Sequence, residues 1–160
     1  MPTNSSFTAE LRNSYEKESG RIREQFVATG SGRAALLGRT ALIERMMERL
    51  WKEFICSESD GPADFAVVAL GGFGRRWLFP YSDIDILFLH AGNGAEAKLK
   101  DPIRRFSQGL WDLGLKLSPA TRTLAECSQF DTANPEFAIS LLDCRFLAGD
   151  RQLFARLHMT

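Results

Sequence analysis

Apolar positions along the chain begin sparse, then gather into a helical stripe, then run unbroken. Over residues 8–28 the apolar positions are sparse, Leu11, Tyr15, Ile22 and Phe26 among the charges, which predicts a charged, weakly amphipathic helix. Residues 1–6 precede it as a disordered stretch or a cap, and Gly30-Ser31-Gly32 breaks it. From 33 to about 54, Leu36, Leu37, Leu42, Ile43, Met46, Met47, Leu50 and Trp51 recur at near-helical spacing, predicting a second helix. A polar turn with Gly61-Pro62 fills 57–64. Residues 65–70 and 85–89 are then nearly unbroken apolar runs of strand length, the pattern of central strands buried on both faces.

Gly92-Asn93-Gly94 ends the second run. A helix is predicted over 95–113 with Leu99, Ile103, Phe106, Leu110 and Trp111 inward, and Pro102 belongs near its start or at a kink. Residues 114–123 read as a less regular third strand, whose Pro119 favours an edge or a bulge. Thr123 can cap a short turn at 124–127. Residues 131–147 read as one more helix, with Phe137, Ile139, Leu141, Leu142, Phe146 and Leu147 available for burial. Gly149-Asp150 stops it, and a last helix starts at Arg151. The sequence ends a turn or two into that helix, which suggests a piece of a larger protein. The expected class is α/β: a small mixed sheet with flanking helices. Residues 1–32 form an N-terminal helical extension, 33–130 the core, and 131–160 the start of a helical C-terminal extension.

Composition narrows the partners. With 160 residues and 44% hydrophobic positions, one domain can hold a proper core. Lys+Arg and Asp+Glu balance at 20 each, so no global charge draws the chain to nucleic acid or to a membrane surface. No apolar run approaches the roughly 18 residues of a membrane span, and the N-terminus lacks a secretory signal pattern. Cys56, Cys127 and Cys144 are odd in number and lack C-x-x-C spacing, which argues against zinc. Reduced thiols in a cytoplasmic protein are the expectation.

Chemistry concentrates between the two apolar runs. The first ends in Gly71-Gly72-Phe73-Gly74, followed by Arg75 and Arg76; the second opens with Ser82-Asp83-Ile84-Asp85. On a strand, Asp83 and Asp85 would point the same way. Mg²⁺ prefers carboxylate and phosphate oxygens with water, and paired metal ions can serve both the attacking and the leaving oxygen of a phosphoryl centre. Gly71, Gly72 and Gly74 can offer backbone N–H groups to a triphosphate without side-chain obstruction. Ser82 adds a hydroxyl, and Arg75 and Arg76 add positive charge. Each part alone has a plainer reading. Asp-x-Asp can be a solvated strand start, Gly-Gly-x-Gly a turn, and the arginines surface charges or partners of Asp83. Their joint order points to a metal–nucleotide site.

Gly71-Gly72-Phe73-Gly74-Arg75 with Leu78 and Pro80-Tyr81-Ser82-Asp83-Ile84-Asp85 resembles the signature of bacterial protein-PII uridylyltransferases, in the DNA polymerase beta-like nucleotidyltransferase superfamily. Leu110-Trp111-Asp112-Leu113-Gly114-Leu115, Arg122-Thr123-Leu124 with Glu126-Cys127, and Leu141 through Asp150 are similar to the downstream segment of the same family. The resemblance covers about residues 33–157. It implies a nucleotidyltransferase core that moves UMP from UTP to a tyrosine of the PII signalling protein and releases pyrophosphate. Asp83 and Asp85 would hold Mg²⁺; Gly71, Gly72, Gly74, Arg75 and Ser82 would hold the nucleotide. The family's HD phosphohydrolase and ACT domains have no counterpart in these residues: neither His90 nor His158 is followed by Asp. An adenylyltransferase with another acceptor, and a non-catalytic nucleotide-binding module, remain the alternative readings.

Many members of the superfamily carry a third carboxylate on a later strand, whereas here Ser118 and Pro119 occupy the middle of 115–123. Asp112, at a helix end, is expected to face solvent, and Asp143 and Asp150 to be structural. Arg122 is a weaker candidate for triphosphate contact, with a surface ion pair as its equal alternative. His90 reads as a strand-end residue.

Overall fold

A computed structural model describes residues 3–56, 61–92 and 94–159. Helix α1 spans Thr3–Thr29 and α2 Gly32–Phe54; β1 is Phe65–Ala69, α3 Gly71–Gly74, β2 Ile84–His90 and α4 Ala95–Asp112. Then follow β3 (Leu117–Thr123), α5 (Leu124–Cys127), α6 (Pro135–Leu141), β4 (Arg145–Gly149) and α7 (Arg151–Leu157). Residues 3–6, expected as a loose cap, are the first turn and more of α1. The first half of the polar turn expected at 57–64, and Asn93 of the glycine-flanked break, lie outside the described residues.

The sheet is mixed, in the order β3-β2-β1-β4. β1 runs antiparallel to both β2 and β4, and β2 runs parallel to β3. The α/β expectation is met, with helices on both faces. On one face α2 places Leu42, Ile43, Met46 and Leu50, and α4 places Phe106 and Leu110, against Phe65, Val67, Ile84, Ile86 and Phe88. Trp51, Phe65, Phe88 and Phe106 form a file of rings with successive centroids 5.9, 6.1 and 5.9 Å apart. Such aromatic pairs add to the stabilisation that burial alone provides. The opposite face carries Ala66, Val68, Leu70, Leu87 and Leu89, covered in part by Phe137, Leu141, Leu153 and Leu157.

Local chemistry sets the element ends. The Ser31 side chain accepts from Ala34 N at the start of α2. Thr123 and Glu126 form the reciprocal capping box of α5. Asp150 caps α7 by accepting from Gln152 and Leu153 N–H groups, and it also accepts from Asp64 N–H. These bonds, with Leu153 the strongest, hold its carboxyl below the usual range. Pro119 sits in β3, an edge strand, where a missing N–H is tolerated.

Two expectations need correction. Residues 131–147 are not one helix: Asp131 closes a turn on Ala133 N–H, Asn134 caps a helix that begins at Pro135, and that helix ends at Leu141. Phe146 and Leu147 then belong to β4, while Ile139 and Leu142 face solvent. The reason is tertiary: the outer edge of β1 needs a strand partner, and the five residues of β4 supply it. Trp111 is exposed, and Leu113 and Leu115 fill the core instead. Pro102 lies inside α4, where the hydrogen bond it forgoes would have reached the carbonyl of exposed Lys98. Among the described residues, no helix is long and apolar enough to cross a membrane.

Candidate functional site

The antiparallel pairing of β1 with β2 brings the end of the first apolar run to the start of the second. Ala69 stands opposite Ile86, and Leu70 N–H donates to Asp85 O at 3.0 Å. The chain then turns at Gly71 with φ +51°, a backbone region that suits glycine. A Cβ added at Gly71 would lie 3.4 Å from Asp85 Oδ2. The glycine turn and the Asp85 carboxylate therefore face each other with no side chain between them.

Asp83 lies just before β2 rather than within it, and is exposed; Asp85 is inside the strand and half-buried. The two are close enough for the charge of Asp83 to act on Asp85. Burial pushes the Asp85 carboxyl up first, the Asp83 charge pushes it further, and a hydrogen bond from Ser118 opposes both. Ser118 is the register partner of Asp85 across the parallel β2–β3 pair. It occupies the place where a third carboxylate could stand. Among the described residues, no group of three or more His, Cys, Asp or Glu side chains could hold a metal ion. The donor set is thus two neighbouring carboxylates whose mutual repulsion a divalent cation would relieve, beside a glycine whose added Cβ would meet only Asp85 Oδ2 within 4 Å. That chemistry fits Mg²⁺, which keeps several waters and takes one or two protein carboxylates.

The three glycines have separate jobs. Gly71 and Gly72 occupy the first positions of α3, where a helix leaves N–H groups without intrahelical partners. Gly74 N–H is already committed to Leu70 O at 2.9 Å. A Cβ there would fall 1.9 Å from the Asp143 carbonyl oxygen. Gly74 is therefore a packing glycine, required by the close approach of the segment before β4. Ser82 is half-buried, its N–H bonded to Phe79 O at 3.2 Å.

Arg75 pairs with Asp143, tying the turn to the end of α6. Arg76 adopts φ +64°, and its carbonyl accepts from Thr40 Oγ1 of α2 at 3.1 Å. Asp112 accepts from Gln108, and Asp150 is the α7 cap, so neither joins the site. His90 closes β2 at the far end of the strand from Asp85 and is buried. Arg122 lies over the Phe137 ring, 5.6 Å from its centroid.

Sequence reasoning missed Arg145. From β4 its guanidinium donates to Phe73 O at 2.9 Å and Gly74 O at 3.1 Å. It also stands 2.6 Å from Glu44 Oε1 of α2, an ion pair by distance whose angle falls outside hydrogen-bond geometry. This one side chain holds the glycine turn between β4 and α2. Its signal was hidden because 145 was placed in a helix rather than beside β1.

No protein-family model matches the chain. Curated relatives do. The chain is 34% identical over 136 residues (85% of its length) to the bifunctional uridylyltransferase/uridylyl-removing enzyme of Pseudomonas syringae pv. syringae, covering 15% of that protein. It is 34% identical over 154 residues to the enzyme of the same description from Pseudomonas fluorescens, covering 94% of this chain and 16% of the relative. For that of Azotobacter vinelandii the identity is 37% over 119 residues, covering 74% and 13%. The chain spans about 15% of the length of the curated relatives it matches.

Proposed function

This chain is a relative of the bifunctional uridylyltransferase/uridylyl-removing enzymes, and on that footing we propose that it is a Mg²⁺-dependent nucleotidyltransferase domain. In this reading it transfers UMP from UTP to a tyrosine of the PII protein. The observation that carries it is the placement of Asp85 against Gly71, with Asp83 beside it. A strand-borne carboxylate pair beside unobstructed backbone donors is what a metal–triphosphate complex needs.

The reaction forms a bond from the tyrosine oxygen to the α-phosphorus and breaks the bond to the β-phosphate. Pyrophosphate leaves, and the phenol loses its proton. When bound, Mg²⁺ supplies Lewis-acid stabilisation of the phosphate charge and of the phenolate, whose parent acid has a pKa of about 10. Asp83 and Asp85 are the residues that would hold the cation, beside the glycine turn. Gly71 and Gly72 N–H groups donate to phosphate oxygens, and the Ser82 hydroxyl can add another donor. Arg145 keeps the turn in place by binding the carbonyls of Phe73 and Gly74. Arg75, bound to Asp143, ties the same turn to the segment before β4.

Ser118 opposite Asp85 favours a second reading, nucleotide binding without transfer, because it provides a hydroxyl where a third carboxylate could stand. One experiment separates the two: incubate the chain with α-labelled UTP, Mg²⁺ and purified PII, beside the Asp83→Asn/Asp85→Asn double variant. Labelled PII with wild type and none with the variant is expected. Undiminished labelling by the variant contradicts the site, and UTP binding without labelling supports the second reading.

A further inference from the structure

Asp85 points to the same sheet face as Leu87 and Leu89, the face opposite the α2–α4 layer. Ser118, its register partner, is on that face, and so are Ala120 and Arg122 further along β3. Four residues of strand put Arg122 about 13 Å from Ser118. There a groove of about 360 Å³ opens between β3, α5 and α6, lined by Arg122, Gln129, Phe130, Asn134 and Phe137 among others. Its size is within the roughly 300–1,000 Å³ of small-molecule sites. Helix α6 forms one wall and also packs against α3, so groove and glycine turn share a boundary. A second cavity, about 300 Å³ along α2 and β4, is lined by Val67 and Phe106 and so lies under the opposite face.

The lining suits a flat, polar-edged ring. The Arg122 guanidinium stands over Phe137, and Phe130 is 69% exposed, so its ring is free of the core. Aromatic and guanidinium planes are the usual platforms for a nucleobase. Asn134 Oδ1 is taken by Phe137 N–H, which leaves its NH₂ as a donor. Such a donor matches the O4 acceptor of uracil and opposes the N4 amino donor of cytosine.

We propose that this groove binds the base and sugar of the nucleotide whose phosphates lie at Asp83, Asp85 and the glycine turn, and that Asn134 favours uracil over cytosine. The proposal rests on the nucleotide reading given above and extends it to base recognition. Phosphates at the turn and a base near Arg122 place the nucleotide along β3, on the one sheet face that carries Asp85.

Calorimetric titration in Mg²⁺ tests it, with UTP, CTP and inorganic tripolyphosphate as probes. Phe130→Ala and Arg122→Gln each should weaken UTP about tenfold and leave tripolyphosphate unchanged. Asn134→Asp keeps the helix cap and should remove most of the preference for UTP over CTP. Thermal melts establish that each variant is folded. Unchanged UTP affinity in the Phe130 and Arg122 variants, with binding lost in Asp83→Asn/Asp85→Asn, overturns the groove alone. Equal losses of UTP and tripolyphosphate put the groove on the phosphates and overturn the base assignment. Failure of the wild type to bind either probe overturns the nucleotide reading and the groove with it.

Discussion

Ser118 stands opposite Asp85 across the parallel β2–β3 pair and hydrogen-bonds its carboxylate, the one interaction that counters the upward push of burial and of Asp83. Ser118→Ala removes that bond. The Asp85 carboxyl should then titrate at a higher pH than in wild type, followed through its side-chain carbon by NMR. An unchanged midpoint would mean that Ser118 does not hold the carboxylate in solution.

The raised Asp85 carboxyl also links the site to stability. A carboxyl raised in the folded state binds a proton more readily there than in the unfolded chain, so its ionised form costs stability above that raised value. The cost disappears as pH falls through it. Asp85→Asn should therefore melt at a higher temperature than wild type at pH 7 without metal, a gain under about 1 kcal/mol given solvent screening. The gain should shrink as the pH is lowered toward the carboxylate range. Scanning calorimetry at neutral and acidic pH reads this, and a lower melting temperature at pH 7 would contradict it.

Arg145 carries two backbone hydrogen bonds and the pairing with Glu44. Arg145→Met preserves much of the stem packing, takes the side-chain donor from Gly74 O, leaves Phe73 O with the Arg76 N–H alone, and strips Glu44 of its ion-pair partner. About 2–3 kcal/mol of stability should be lost, read by urea unfolding. A loss below about 0.5 kcal/mol, the scale of an ordinary surface change, would show that the turn does not depend on this anchor.

Gly74 and Gly72 should part company. Alanine at 74 puts a methyl 1.9 Å from a backbone oxygen, whereas at 72 the nearest atom is Trp77 O at 3.4 Å. Gly74→Ala should cost about 3 kcal/mol or more, and Gly72→Ala about 1 kcal/mol or less. Circular-dichroism melts of the two variants check this. Equal stability would contradict the packing role given to Gly74.

The helices and central strands were legible because their patterns are local. The stripe from Leu36 to Trp51, the runs beginning at Phe65 and Asp85, and the Thr123 cap each carry their own signal within a few residues. The edge strand β4 was not legible. Arg145 to Ala148 contains nothing that excludes a helix, and only the unpaired edge of β1 makes it a strand. The contact of Arg145 with the glycine turn followed it out of sight. Trp111 was placed inward by periodicity, but the chain leaves α4 in a way that buries Leu113 and Leu115 instead. At the site, spacing brought Asp83, Asp85, Gly71 and Gly72 to one place. It could not show that Gly74 N–H is already bonded, or that Ser118 lies level with Asp85.

The most direct test is a calorimetric titration of UTP into the chain with Mg²⁺ and with EDTA, repeated on Asp83→Asn/Asp85→Asn. Binding to wild type should require Mg²⁺ and be lost in the double variant, whose melting temperature should be no lower than that of wild type in EDTA. Equal UTP affinity in the folded variant, or binding indifferent to Mg²⁺, would contradict a metal–nucleotide site at Asp83 and Asp85.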